Sequence, residues 1–483
     1  MPIRYNTEQG GERQVAGVQV TDELSERLRR QTEAYVRDDD PAVREHLEWF
    51  QDQKLGLMIH FGLYSQLGMK ESWPLIDESA WGDDPTWTRW QFPPDQDPAE
   101  LKRMYAQLHR SFNPLRFDPD EWADFARDTG FKYLLFTTKH HDGFCMWDTK
   151  TTDYRVTGPE SPYRDNRNAD MTRCLYDAFR ARGLGISVYF SKPDWGSPLY
   201  WEPGYWMQTG IRSTAPSYSP AEKPALWERF VQYTHAQLRE LGLESGKIDC
   251  MWFDGGAVSA RNGLDVRIGE IISELRRTQP WLLCADRGQG GLYENFLTPE
   301  LEIPETVLPV PWETCLCLGK RGEGERYTSF GYTYDQEYFT ASETLHIFLE
   351  IVSRGGNLAL NIGPQPDGRL SARALHQLEP FGRWMRVHGR GIYGTRPCAP
   401  YFTGAFRYLQ KGDKCYVYRL YEDDEPATAS VTFDAPFPAS RVVYMRTGAP
   451  LDFRRDGEKL TVTLPEGIVG LQGLMADGFE VLG

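Results

Sequence analysis

The chain has 483 residues, is 40% hydrophobic and 25% charged, and carries a formal net charge of −15 with a pI near 5.2. That length buries a sizeable core and suggests a large domain followed by a smaller one. The acidity argues against a nucleic-acid or anionic-membrane partner, and no run of about 18 apolar residues marks a membrane span. The opening Met1-Pro2-Ile3-Arg4-Tyr5-Asn6 lacks the apolar stretch of a secretory signal. The eight Cys form no Cys-x-x-Cys pair. Cys250 and Cys284 sit in apolar runs and read as small buried hydrophobes, and Cys315 with Cys317 makes a poor zinc site. Reduced thiols and a cytoplasmic location are therefore expected.

Strand-like and helix-like segments alternate from about residue 20 to residue 390. Apolar strand candidates cover 55–61, 131–138, 185–191, 248–253, 281–286, 311–318 and 357–362. Several are near-continuous apolar runs, the pattern of parallel strands covered by helices. A helix is expected after Asp118, with Pro119 at its first position and Gly130 as its stop. Asp170 caps another that closes at Gly183. Thr340 and Glu343 form a capping box ahead of Leu345, Phe348, Leu349 and Val352, which share one face. The stretch 192–224, rich in Pro, Gly, Ser, Tyr and Trp, reads as a structured loop that walls the site or closes over it.

This alternation favours an α/β fold of the (β/α)8 type, a TIM-like barrel with an N-terminal helical extension, over residues 1–394. A doubly wound sheet is the rival, but no Gly-x-Gly-x-x-Gly turn or P-loop occurs. Beyond residue 395 the pattern changes to short alternating strands, such as 414–420, 429–433 and 460–464, separated by Gly, Pro and Asp. Residues 395–483 read as a small antiparallel β-sandwich.

Chemistry is expected where barrel strands end. Asp254 closes the apolar run 248–253 and is followed by Gly255-Gly256. It is either a nucleophile or base at a strand tip, or a buried Asp capping a helix or pairing with an Arg. Trp252, two residues earlier, points to the same side of the strand and can floor a pocket. His140 and His141 follow the strand 131–138; their side chains diverge unless the chain has already bent into a loop. His60 follows Leu57-Met58-Ile59 and is a core or a site residue. Arg287 follows Asp286, with which it can form a structural ion pair. A metal reading would recruit His60, His140 and Asp142, although no metal-binding spacing supports it. Glu294, Glu300, Glu302, Glu305 and Glu313 are crowded into 290–315, as a solvated acidic loop or as the source of an acid. Two carboxylates flanking a glycosidic bond suffice for its hydrolysis.

The chain resembles the family 29 glycoside hydrolases, the α-L-fucosidases. The resemblance rests on Ile59-His60-Phe61-Gly62-Leu63-Tyr64-Ser65, on Lys139 to Phe144 with Trp147-Asp148 and Thr152-Asp153-Tyr154, and on the tract Gly355 to Pro364. It spans roughly residues 45–395. Departures are Phe61 for the usual Trp, Glu71-Ser72-Trp73 for a Glu-Trp-Tyr pattern, and Ala285-Asp286-Arg287 for Asn-Asp-Arg.

The resemblance implies a retaining exo-α-L-fucosidase acting on fucosylated oligosaccharides or glycoconjugates, without cofactor or metal. Asp254 would be the nucleophile. Glu300, in Asn295-Phe296-Leu297-Thr298-Pro299-Glu300, would be the acid/base, with Glu313 in Pro311-Trp312-Glu313 as the alternative. Implied fucose contacts are His60, Glu71, Trp73, His140, His141, Tyr189, Trp252, Arg287 and Phe330. The rivals are a metal-dependent barrel hydrolase and a sugar-binding protein without catalysis. Neither the natural linkage nor the oligomeric state follows from the sequence.

Overall fold

The computed structural model describes residues 13–15, 18–20, 22–76, 98–202, 214–320, 328–435 and 437–483. A short hairpin, β1 (Arg13–Val15) with β2 (Val18–Val20), precedes helix α1 (Asp22–Ala34) and helix α2 (Pro41–Gln53). The apolar runs then become β3 (Leu55–Ile59), β4 (Tyr133–Lys139), β5 (Gly185–Ser191), β6 (Cys250–Asp254), β7 (Leu283–Asp286), β8 (Glu313–Cys317) and β9 (Asn357–Ile362). They pair in parallel in the order β7-β6-β5-β4-β3-β9-β8. With helices following β3, β4, β5, β6 and β8, this is the expected barrel-type α/β architecture.

Its two edges, β7 and β8, are joined by an irregular segment rather than by a regular strand. Asn295 N–H donates to Cys284 O (2.8 Å), and Leu297 N–H to Pro311 O (2.9 Å). Glu313 N–H then donates to Leu297 O (2.9 Å), and Leu301 N–H to Cys315 O (3.0 Å). The segment from Glu294 to Leu301 therefore occupies the place between β7 and β8 with only scattered bridges.

Alternation along each strand divides the side chains into two layers. The barrel interior is filled by Met58, Tyr133, Leu135, Tyr189, Cys250, Trp252, Leu283, Ala285, Cys315, Cys317 and Ala359. Val43, Leu47 and Phe50 of α2 pack with them, and Phe50 stacks on Phe296 with ring centroids 4.4 Å apart. Thus α2 seals one end of the barrel, and the polar strand tips lie at the other. Gly56 makes room for the Tyr133 ring: a Cβ there would come within 2.2 Å of it.

Local signals in the sequence account for the helix limits. Asp118 accepts from Asp120 N–H (2.9 Å) and Glu121 N–H (3.2 Å), and Gly130 ends the helix Pro119–Thr129 at φ 105°. Asp170 accepts from Arg173 N–H at the start of Met171–Ala181. The Thr340–Glu343 capping box opens Ala341–Ser353.

The C-terminal strands are β10 (Arg396–Thr403), β11 (Phe406–Lys411), β12 (Lys414–Leu420), β13 (Ser430–Asp434), β14 (Arg441–Tyr444), β15 (Ala449–Leu451), β16 (Phe453–Asp456), β17 (Lys459–Thr463) and β18 (Ala476–Leu482). They form two antiparallel sheets, β10-β11-β12-β18-β14-β15 and β13-β17-β16. Between them lies a core that includes Val417, Val431, Phe433, Val442, Leu460, Val462 and Phe479.

A buried ion triad ties these sheets to the barrel. Glu350, on the helix Ala341–Ser353, accepts from Arg354 of its own chain segment and from Arg407 of β11. Glu350 and Arg407 are each 1% exposed. Removing the shared anion leaves two guanidinium groups without it in a low-dielectric interior. Glu350→Ala is therefore expected to lose about 3–5 kcal/mol of stability, measured by chemical denaturation.

Candidate active site

At the open end of the barrel a cavity of about 220 Å³ is lined by Met58, His60, Glu71, Trp73, His140, His141, Tyr189, Trp252, Asp254, Gly255, Gly256, Arg287, Glu300, Cys315 and Phe330. Asp254, Glu300 and all nine expected fucose contacts lie on this wall, whereas Asp142, Glu294, Glu302, Glu305 and Glu313 do not. The parallel register explains much of the convergence, since Tyr189 pairs with Trp252 and Ser191 with Asp254. Trp252 and Asp254, two residues apart on β6, both reach the cavity. Gly255 has φ 85°, and a Cβ there would meet Pro193 at 2.1 Å. This glycine allows the chain to turn away directly after the carboxylate.

Arg287 is the hub. Its Nη1 donates to Asp254 Oδ1 (2.7 Å), and its Nη2 to Glu300 Oε2 (2.5 Å). The guanidinium also lies over the Trp252 ring, 4.6 Å from its centroid. Asp286 pairs with Lys192 instead, so the neighbouring Asp286–Arg287 ion pair considered from the sequence does not form. Tyr189 Oη donates to Asp254 Oδ2 (2.6 Å). Burial opposes ionisation of Asp254, but Arg287, His141, Tyr189 and the Gly255 N–H together hold its carboxyl well below the usual range. Asp254 thus pairs with an Arg and also faces the cavity.

The loop after Arg287 is wound around a carboxylate. Glu294 accepts from Gly288 N–H (2.8 Å) and Gly290 N–H (2.6 Å). Both glycines have positive φ, 70° and 73°, which turns their amides inward onto the anion.

The histidines diverge from the strand pattern. β4 ends at Lys139, and the chain has turned by His141. The rings of His140 and His141 consequently lie 4.4 Å apart on one side. Their proton positions follow from their partners. Asn361 Nδ2 donates to Phe330 O (2.6 Å), so Asn361 Oδ1 accepts from His60 Nδ1–H (2.8 Å). Ser191 Oγ donates to Pro193 O (2.6 Å) and accepts from His141 Nδ1–H (2.6 Å). Burial lowers both imidazoles to about 4, so they are neutral near pH 7. Each keeps an Nε2 acceptor, and that of His141 is 3.7 Å from Asp254 Oδ2. His140 is fixed by Ser72 Oγ at 2.5 Å from its Nδ1, and burial lowers its pKa as well.

Aromatic faces complete the wall. Tyr189 stacks near Trp252 at 5.3 Å, and Phe330 lies 4.9 Å from His60. Trp73 packs edge-on to His141 (5.1 Å) and Trp195 (5.6 Å). Trp195 comes from the loop expected to wall the site; residues 203–213 of that loop lie outside the described residues. Glu71 Oε1 accepts from Ser329 Oγ (3.0 Å) and Gly331 N–H (2.5 Å), holding the turn that carries Phe330.

Asp142 faces elsewhere: its Oδ2 accepts from Tyr105 Oη at 2.6 Å. Among the described residues no group of three or more His, Cys, Asp or Glu is arranged to hold a metal ion. Also among them, no helix is long and apolar enough to cross a membrane, and the eight cysteines are free.

The family model for alpha-L-fucosidase matches residues 24–390. The chain belongs to the alpha-L-fucosidase family. Tissue alpha-L-fucosidase of Macaca fascicularis is 26% identical to it over 444 residues, 86% of this chain and 84% of that protein. Plasma alpha-L-fucosidase of Homo sapiens is 28% identical over 369 residues, 73% of this chain and 70% of that one. The structure of alpha-L-fucosidase isoenzyme 1 from Paenibacillus thiaminolyticus superimposes with a TM-score of 0.72 at 26% identity, covering 91% of this chain and 99% of that chain. The Thermotoga maritima alpha-fucosidase in complex with fucose shares the fold, at 24% identity and a TM-score of 0.70, over 93% and 100% of the two chains.

In this member of the alpha-L-fucosidase family, Glu313 lies behind the wall. It is 2% exposed, accepts from Tyr133 Oη, and is adjoined by the buried indole of Trp252. Sequence reasoning gave no role to Asn361, Ser72, Ser191 or Cys315, which touch or hold the lining. A signal for Asn361 was present: it is a polar residue inside the apolar run 357–362, four places from Asn357 and so on the same face.

Burial raises Glu313 to about 7. Its folded value is thus above the unfolded one, so the stability it contributes is complete below about pH 4.5 and is lost as pH rises to about 7. The loss is on the order of 3 kcal/mol. Glu313→Gln should remove this component, so that the variant gains on wild type between pH 5 and pH 8 in thermal melts.

Proposed function

We propose that the protein is a retaining exo-α-L-fucosidase, with Asp254 as nucleophile and Glu300 as acid/base. The observation that carries this reading is the single guanidinium of Arg287 bonded to both carboxylates across one cavity. One guanidinium reaching both acids holds them together at a single cavity, as hydrolysis by a pair of carboxylates requires, and the retaining course follows the family resemblance. The fucosidase relatives supply the sugar, a terminal α-L-fucose on an oligosaccharide or glycoconjugate.

In this reading the Nε2 atoms of His60 and His141 accept hydrogen bonds from hydroxyls of the sugar. Trp252 and Phe330 pack on its apolar face and methyl group, a contact that contributes about 1–3 kcal/mol of discrimination. Asp254 attacks the anomeric carbon as the glycosidic C–O bond breaks, and Glu300 gives its proton to the departing oxygen. A water then attacks the same carbon, Glu300 takes its proton, and the Asp254 ester bond breaks. Each Asp254 oxygen already accepts a hydrogen bond, which fixes the carboxylate for attack. Glu313, behind Trp252, supports the platform in this scheme.

The domain division at residue 394 is part of the proposal, with the barrel carrying the chemistry. So is a cytoplasmic setting, supported by the free cysteines.

Asp254→Gly is expected to lower turnover of an aryl α-L-fucoside by about a thousandfold or more with an unchanged circular dichroism spectrum. For Glu300→Ala, azide should restore cleavage of an activated aryl fucoside as a fucosyl azide. Rescue in Glu313→Ala and not in Glu300→Ala would reverse the two assignments.

A further inference from the structure

The segment that carries Glu300 is not held by a strand ladder, yet its backbone at the next residue is strained. Leu301 has φ 57°, a left-handed conformation that a branched side chain adopts only when its surroundings impose it. On one side Leu301 N–H is tied to Cys315 O of β8. The tie on the other side comes from the N-terminal segment, far away in sequence.

Three contacts make that tie. Arg27 of α1 pairs with Glu302, one residue beyond the strained Leu301. Tyr35 Oη donates to Asn295 O (2.9 Å). Asp38 accepts from Arg276 (2.9 Å), whose other nitrogen donates to Asn295 Oδ1 (3.2 Å). Gln31 of α1 also approaches the loop after Arg287, since a Cβ on Gly288 would lie 3.6 Å from its Nε2. The N-terminal segment therefore touches both ends of the Asn295–Glu302 stretch and the loop following the bridging arginine.

We propose that the Arg27–Glu302 pair is a positioning device for acid/base catalysis: it pins the strained turn at Leu301 and thereby aims Glu300 at the glycosidic oxygen. This rests on the assignment of Glu300 made above. Arg27 is half exposed, and such pairs add little to global stability. Its loss should thus misdirect one side chain without unfolding the barrel. Neither Arg27 nor Glu302 lines the cavity, so neither is expected to touch the fucose.

Leaving-group dependence separates positioning from a structural effect. A dinitrophenyl fucoside departs with little proton assistance, whereas methyl α-L-fucoside needs a proton on its oxygen. The ratio of kcat/KM for the two substrates, measured on one sample, is independent of how much of the protein is folded. Arg27→Ala and Glu302→Gln are each expected to lower kcat/KM for the methyl fucoside about tenfold, and to change the dinitrophenyl fucoside by less than about twofold. The double reversal, Arg27→Glu with Glu302→Arg, should recover most of the ratio. Glu300→Ala serves as the reference, with a loss of about a hundredfold or more confined to the methyl fucoside. If Glu300→Ala shows that selectivity while Arg27→Ala and Glu302→Gln leave the ratio at its wild-type value, the positioning inference is overturned and the assignment of Glu300 stands. If Glu300→Ala slows both substrates alike, the assignment fails and takes the inference with it.

Discussion

One partly buried cation between two carboxylates organises the mouth of this barrel. Arg287 contributes a nitrogen to Asp254 and another to Glu300 while its plane lies over Trp252. A guanidinium can do this because its donors form a rigid planar fork and its charge persists in a dry site; a lysine has neither property. Without it, two acids at a shared cavity would repel each other. In the proposed cycle the sharing changes with each step. While Asp254 is a free anion, the positive charge is divided; when Asp254 is esterified, Arg287 is left to pair with Glu300 alone.

The remaining lining follows from this constraint. Strand alternation sends Trp252 and Asp254 to the same side, and parallel registration brings Tyr189 and Ser191 beside them. Ser191 in turn orients His141, and Asn361 orients His60, so the tautomers are settled by partners that make no wall themselves. Behind Trp252, Tyr133 and Glu313 fill space that Gly56 leaves open.

The regular parts of this design were legible in the sequence. Apolar runs marked the seven parallel strands to within a few residues, and Asp118, Asp170 and Thr340 marked helix starts, because strand burial and capping are local. Motif resemblance brought together the lining residues from His60 to Phe330. What escaped was set by contacts between distant segments. Asp142 reads as one of a run of ionisable groups, but Tyr105 draws it away. Arg287 sits beside Asp286 in the chain, yet Lys192 takes that partner. Glu313 and Glu300 look equivalent in an acidic stretch; only the bridges to Cys315 and Leu297 reveal that one faces the cavity and the other lies beneath Trp252.

The irregular link between β7 and β8 has an evolutionary consequence. In a hydrogen-bonded ladder, inserting one residue reverses the facing of every side chain beyond it. A link fastened at a few points can gain or lose residues between fastenings while the sheet stays in phase. Asp254, the proposed nucleophile, is locked in place on a regular strand by the barrel, whereas Glu300, the proposed acid, rides on a part of the chain whose length is free to drift. Divergence among descendants of such a scaffold would then concentrate on how the leaving group is handled, with the grip on the sugar ring unchanged.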